Sequence, residues 1–202
     1  APGASGLARL TLDRPVHAQW GDRLILRDQA ARHTLAGGKV IDPFAPARGR
    51  ARPERLKLLA AMETTDTVRS LRCLLQQSPS GVPLVEFARA RNLTAAETTS
   101  VLQEAAAKVA GTEDESRAYS EIHWNGLCTA VTEVIERYHR SSPASPGPSQ
   151  SQVRSGLKLR LPNSVGSAIF EKLVAGGRIA CSGSRVHMLG FRPQGSDTET
   201  AV

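Results

Sequence analysis

Aromatic residues are scarce in this chain. Two tryptophans, two tyrosines and four phenylalanines make up 4% of 202 residues, so any core must be mainly aliphatic. Cysteine is scarce too. Cys73, Cys128 and Cys181 are odd in number and far apart, which excludes a disulfide framework or a Cys-x-x-Cys ligand pair and points to reduced, buried thiols. No apolar run approaches the roughly eighteen residues of a membrane span. Residues 1–6 carry neither the charged segment nor the apolar core of a signal peptide and read as disordered. The chain opens on Ala1 rather than Met, as expected of a piece of a longer or processed protein. A phosphate-cradling loop is also missing. The nearest string, Gly37-Gly38-Lys39-Val40, has neither the spacing nor the terminal hydroxyl and lies in a strand-like run. Five histidines are scattered. His123 and Cys128 lack a second pair to complete a metal site, and Cys128 makes no catalytic pair with His123 or His139. The expectation is a chain with no catalytic residues, no metal and no cofactor of its own.

What is present is positive charge and a sufficient aliphatic content. Lysine and arginine number 26 against 19 acids, a net +7, and 40% of residues are hydrophobic. The length allows one domain, two, or three small ones. A basic balance fits polyanionic partners, RNA first among them, and on charge alone fits a merely arginine-rich composition equally well.

The first forty-odd residues read as three strands: an apolar run at 7–12, a second at 24–26 bracketed by Arg23 and Arg27, and a third at 39–41. A polar turn at 28–32 joins the last two, and Gly37-Gly38 marks a bend or bulge. An arginine-rich linker follows, and Pro53 suits the first turn of a helix whose Leu56, Leu59 and Ala60 share a face. The helical stripe Val68, Leu71, Leu74, Leu75 predicts a helix over 67–77, stopped by Ser78-Pro-Ser-Gly81. A short helix over 84–91 turns inward Leu84, Phe87 and Ala88. Thr94-Ala-Ala-Glu97 is a capping box that opens another helix, over 94–107. Residues 108–110 and 117–119 can then pair around an acidic tip, Glu113-Asp114-Glu115. Helix, helix, turn, helix and a two-stranded wing is winged-helix order. The order recurs with helices over 127–138, 150–157 and 164–175, then strands over 178–181 and 185–189 about the tight turn Ser182-Gly-Ser184.

The barrel-like block carries a resemblance. Strand, proline, Trp20-Gly-Asp-Arg23, an apolar strand, Arg27-Asp28, a turn, then Thr34 with Gly37-Gly38 and Val40 resembles the last strands of the third domain of translational GTPases. With helical sequence after it, the chain resembles the bacterial selenocysteine-specific elongation factors, over most of residues 7–193. It departs from their frequent three glycines by carrying Ala36 before Gly37-Gly38. The resemblance implies an α+β chain, a partial translation-factor β-barrel followed by two tandem winged-helix domains. The expected divisions are barrel 1–46, basic linker 47–62, winged helix 63–123, winged helix 124–193 and a disordered tail 194–202. It further implies a parent protein that uses GTP and Mg and works in the cytoplasm with selenocysteinyl-tRNA, the ribosome and the mRNA insertion hairpin, with no membrane and no small-molecule substrate. In that family the hairpin is read by the last winged helix, and this chain is expected to stop short of it.

Candidate RNA phosphate contacts are Arg48, Arg50, Arg52 and Arg55 in the linker and Arg154, Lys158 and Arg160 in the second winged helix. Guanidinium groups grip phosphates without reading sequence. The competing reading is a winged-helix DNA-binding regulator. It meets a difficulty in the helix over 94–107, which offers Glu97, Gln103 and Glu104 and no cation, because phosphate attraction supplies most DNA affinity.

Overall fold

The computed structural model describes residues 3–49 and 51–194. They form two compact units, one comprising the residues up to Gln77 with Val85–Ala105, the other Ser78–Leu84 with the residues from Ala106 on. The expected tail lies, apart from Gln194, outside the described residues.

In the first unit the strand expected at 24–26 forms, and the one expected at 39–41 forms earlier, over 34–39. β1 (Arg23–Arg27) pairs antiparallel with β2 (Thr34–Lys39). The polar turn is held by Asp28, whose carboxylate accepts the amides of Arg32 at 2.7 Å and His33 at 3.0 Å, an arrangement typical of aspartate in turns. Leu26 faces Ala36 and Arg27 faces Thr34, so Leu35 is the inserted residue. The bulge is therefore there and not at the glycines. Gly38 stays in register opposite Leu24, where a Cβ would crowd the Leu24 side chain at 3.3 Å. Residues 7–12 form no strand, and Leu7, Leu10 and Leu12 are 57%, 43% and 57% exposed. Apolar alternation alone does not make a strand; it needs a neighbouring edge to pair with.

Four helices follow: α1 (Pro53–Glu63), α2 (Thr67–Gln77), α3 (Leu84–Ala90) and α4 (Ala95–Glu104). α2 buries Leu71, Leu74 and Leu75 as its stripe predicts, while Cys73, off the stripe, is half-buried rather than buried. α1 corrects its expected face: Ala61 is buried and Leu56 exposed. Its apolar residues run almost continuously from 58 to 62, so packing chooses the face, and the buried Ser70 hydroxyl of α2 donates to the Ala61 carbonyl. The Thr94–Glu97 capping box opens α4, and the helix ends on Ala106 in the left-handed region at φ +53°.

Trp20 joins hairpin to helices. Its indole N–H donates to the Met62 carbonyl at 2.7 Å and its amide to the Ala90 carbonyl at 2.7 Å. The Lys39 ammonium lies over its ring, 3.8 Å from the centroid, as does the Arg91 guanidinium at 4.1 Å. Arg91 also donates to the carbonyls of Met62 and Thr64 and to the Ser70 hydroxyl. It thus satisfies carbonyls that α1 leaves open at its end, where a cation also suits the helix dipole. Burial draws its pKa down, with Asp66 opposing.

In the second unit the expected wing forms from β4 (Lys108–Ala110) and β5 (Arg117–Tyr119), with a 3-10 turn at Glu113–Glu115. A short β3 (Val82–Pro83), not foreseen, pairs with the other side of β5. α5 (Glu121–Ser141), α6 (Gln150–Gly156) and α7 (Asn163–Ala175) precede the hairpin of β6 (Ile179–Ser182) and β7 (Arg185–Met188). One core runs through Ala110, Tyr119, Trp124, Val131, Ile135, Val153, Val165, Ile169, Leu173, Ile179 and Val186. The wing strands β4 and β5 thus share a core with the helices after them. Cys128 is buried in it and Cys181, toward the hairpin tip, is exposed, so only one of the three thiols is buried as expected. Gly81, at φ +80°, lets the chain pass the Tyr119 ring, which a Cβ would meet at 2.6 Å. No helix among the described residues is long and apolar enough to cross a membrane.

Candidate nucleic-acid interface

The linker cations divide. Arg48 and Arg52 are exposed, and Arg52 precedes the first turn of α1 with its amide donating to the Gly49 carbonyl at 3.2 Å. Arg50 lies outside the described residues. Arg55 is not available as a free cation: it is ion-paired with Asp42, both side chains nearly buried at 13% and 9% exposure. Sequence distance hid this pair, because Asp42 sits thirteen residues away across the turn that leads out of the hairpin.

The candidate cations of the second unit, Arg154, Lys158 and Arg160, lie along α6 and the loop to α7. Arg154 is half-buried on α6, and its aliphatic stem crosses Gly166 of α7, where a Cβ would stand 2.8 Å from Arg154 Cδ. Lys158 and Arg160 are exposed. Leu157, Leu159 and Leu161, which alternate with them, pack against the core. Val153, fully buried, and the Ser149–Gln152 capping box fix α6 beneath them.

The two helices that would read bases are poor in cations. α4 exposes Glu97, Gln103 and Glu104. The Glu97 carboxylate accepts the Thr94 amide and hydroxyl, each at 2.8 Å, and these bonds hold its pKa below the ordinary range. On α7 the exposed stripe is Asn163, Ser167, Glu171 and Val174, and Lys172, also exposed, is the helix's one cation. An open cleft of about 440 Å³ beside it, lined also by Gln150, Phe170, Ala175 and Cys181, has no cation. Among the described residues no group of three His, Cys, Asp or Glu side chains could hold a metal ion.

The described residues thus hold a two-stranded hairpin, an arginine-bearing linker, and helices with short wing-like hairpins whose candidate reading helices are poor in cations. Residues 3–47 match the family described as selenocysteine-specific elongation factor, beta-barrel domain, and residues 132–188 match elongation factor SelB, winged helix. The family that both segments define is that of the selenocysteine-specific elongation factors, and the chain carries its β-barrel and winged-helix domains. The selenocysteine-specific elongation factor of Escherichia coli (strain K12) is 28% identical over 200 residues, which are 97% of this chain and 31% of the relative. That of Desulfomicrobium baculatum is 24% identical over 185 residues, 88% of this chain and 28% of the relative. The chain thus spans less than a third of the length of these relatives. No match favours a DNA-binding regulator.

Proposed function

We propose that this chain is the arm of a selenocysteine-specific elongation factor, joining the body that binds GTP with Mg and selenocysteinyl-tRNA to the part that reads the mRNA hairpin. The single observation that carries the reading is order: a barrel segment at 3–47 and a winged-helix segment at 132–188 of one family, in one chain. The parent acts in the cytoplasm at a ribosome stalled on UGA. The arm contributes geometry rather than chemistry, in keeping with a sequence that offers no phosphate cradle and no nucleophile–base pair. Arg48 and Arg52, with Arg50, supply general attraction to nearby RNA phosphates; Arg55, neutralised by Asp42, contributes little.

The test is removal of residues 3–194 from the parent gene, with radioactive selenium followed into protein. Loss of labelling with ordinary translation intact is the expected result. Undiminished labelling contradicts the reading.

A further inference from the structure

We propose that the second unit grips RNA by its sugar-phosphate backbone along the edge formed by α6 and the loop to α7, through Arg154, Lys158 and Arg160, and that α7 does not read bases. The inference rests on the translation-factor reading for the choice of RNA as the polyanion; the edge itself is argued from the fold.

Between residues 137 and 194 the chain has nine lysines and arginines and a single acid, Glu171. The loop turns this excess into a shaped surface. Leu157, Leu159 and Leu161 pack against the core, and Lys158 and Arg160 between them are exposed. Arg154 is held by packing of its stem on Gly166, which lowers the entropy lost when its guanidinium engages an anion. Glu115, outside this stretch but on the Ser164 hydroxyl at the start of α7, offsets part of this charge, and Glu171 does not. The latter lies eight residues beyond Asn163, about 12 Å along the helix, farther than the Debye length of about 8 Å at physiological salt.

The start of α7 is already occupied. Glu115, in the 3-10 turn of the neighbouring wing, accepts the Ser164 hydroxyl at 2.9 Å, and Gly111 lies so near that a Cβ would meet Val165 at 3.2 Å. A carboxylate at a helix N-terminus is favourable, but it shuts the end that a helix of this type inserts against bases. Backbone contact by the adjoining loop is what the geometry leaves.

The experiment is fluorescence anisotropy with the whole chain and two labelled RNA hairpins of unrelated stem sequence. The variants are Arg154→Ala/Lys158→Ala/Arg160→Ala and the charge-retaining Arg154→Lys/Lys158→Arg/Arg160→Lys. Matching thermal melts establish that each folds. Lys158→Ala/Arg160→Ala, confined to exposed loop positions, replaces the triple if Arg154 proves necessary for folding. At about 0.1 M salt the alanine triple should lose at least tenfold in affinity for both hairpins, with the salt slope lowered by about 2 to 3. The charge-retaining variant should stay within about twofold. Unchanged affinity and slope in the alanine variant, no RNA binding by the intact chain, or a tenfold preference for one stem would each overturn the proposal. The selenium-labelling test of the parent does not depend on this edge, so either reading can fail alone.

Discussion

His139 shows how one residue links packing to pH. It is buried on α5, stacks on Phe191 with centroids 3.5 Å apart, and its Nε2 accepts the Met188 amide at 3.3 Å. Nδ1 is buried without a partner. Burial, and then nearby His187, hold its pKa below the ordinary 6.5. The native state therefore resists a proton that the unfolded state takes up. The associated stability is complete above the unfolded pKa and is lost as pH falls from there toward the folded one. Thermal melts from pH 7.5 down to 5 should show a falling midpoint, and the fall should be shallower in His139→Gln, which keeps an acceptor. An equal slope in the two proteins contradicts the assignment. Ala106 is a second residue-scale case. An exposed alanine at φ +53° costs about 1 kcal/mol that glycine does not. Ala106→Gly should therefore raise stability in urea by about 0.5 to 1 kcal/mol, less whatever entropy glycine adds to the unfolded chain.

At the scale of elements, the β1–β2 hairpin depends on one side chain. Ile25 and Leu35 are 71% and 67% exposed, so the hairpin buries little of its own apolar surface, and an isolated hairpin is marginal in water. Trp20 makes up for this by its contacts with Met62, Ala90, Lys39 and Arg91. Trp20→Ala should cost about 2 to 4 kcal/mol, and amide exchange should speed up in β1 and β2 before it does in α2. Uniform acceleration would mean the hairpin is held elsewhere. The same exposure accords with two strands being part of a barrel, since small closed barrels need about five or more.

Legibility also divides by element. The α2 stripe, the Thr94 capping box and the β6–β7 hairpin were readable because each is fixed by residues within a turn or two. Residues 7–12 misled because a strand needs a partner that periodicity does not name. β3 was invisible because a two-residue strand containing a proline exists only through its pairing with β5. Of the candidate contacts, Lys158 and Arg160 are exposed as a cationic edge requires. Arg55 differed because its acid lies across a turn, and the hub formed by Arg91 escaped notice because its partners are carbonyls, which carry no sequence signal.

At the scale of the whole molecule, the proposed arm positions RNA without reading it. A net charge of +7 supplies attraction, while α4 and α7 expose acids, small polar groups and no base-reading set of cations. Affinity should therefore be weak, steeply dependent on salt and indifferent to sequence. The most direct measurement is filter binding of the chain to a selenocysteine insertion hairpin, a scrambled hairpin of the same composition, and tRNA, at two salt concentrations. The account predicts dissociation constants within about threefold of one another at each salt and a parallel loss for all three as salt rises. A preference of tenfold or more for the intact hairpin, persisting at the higher salt, would contradict it.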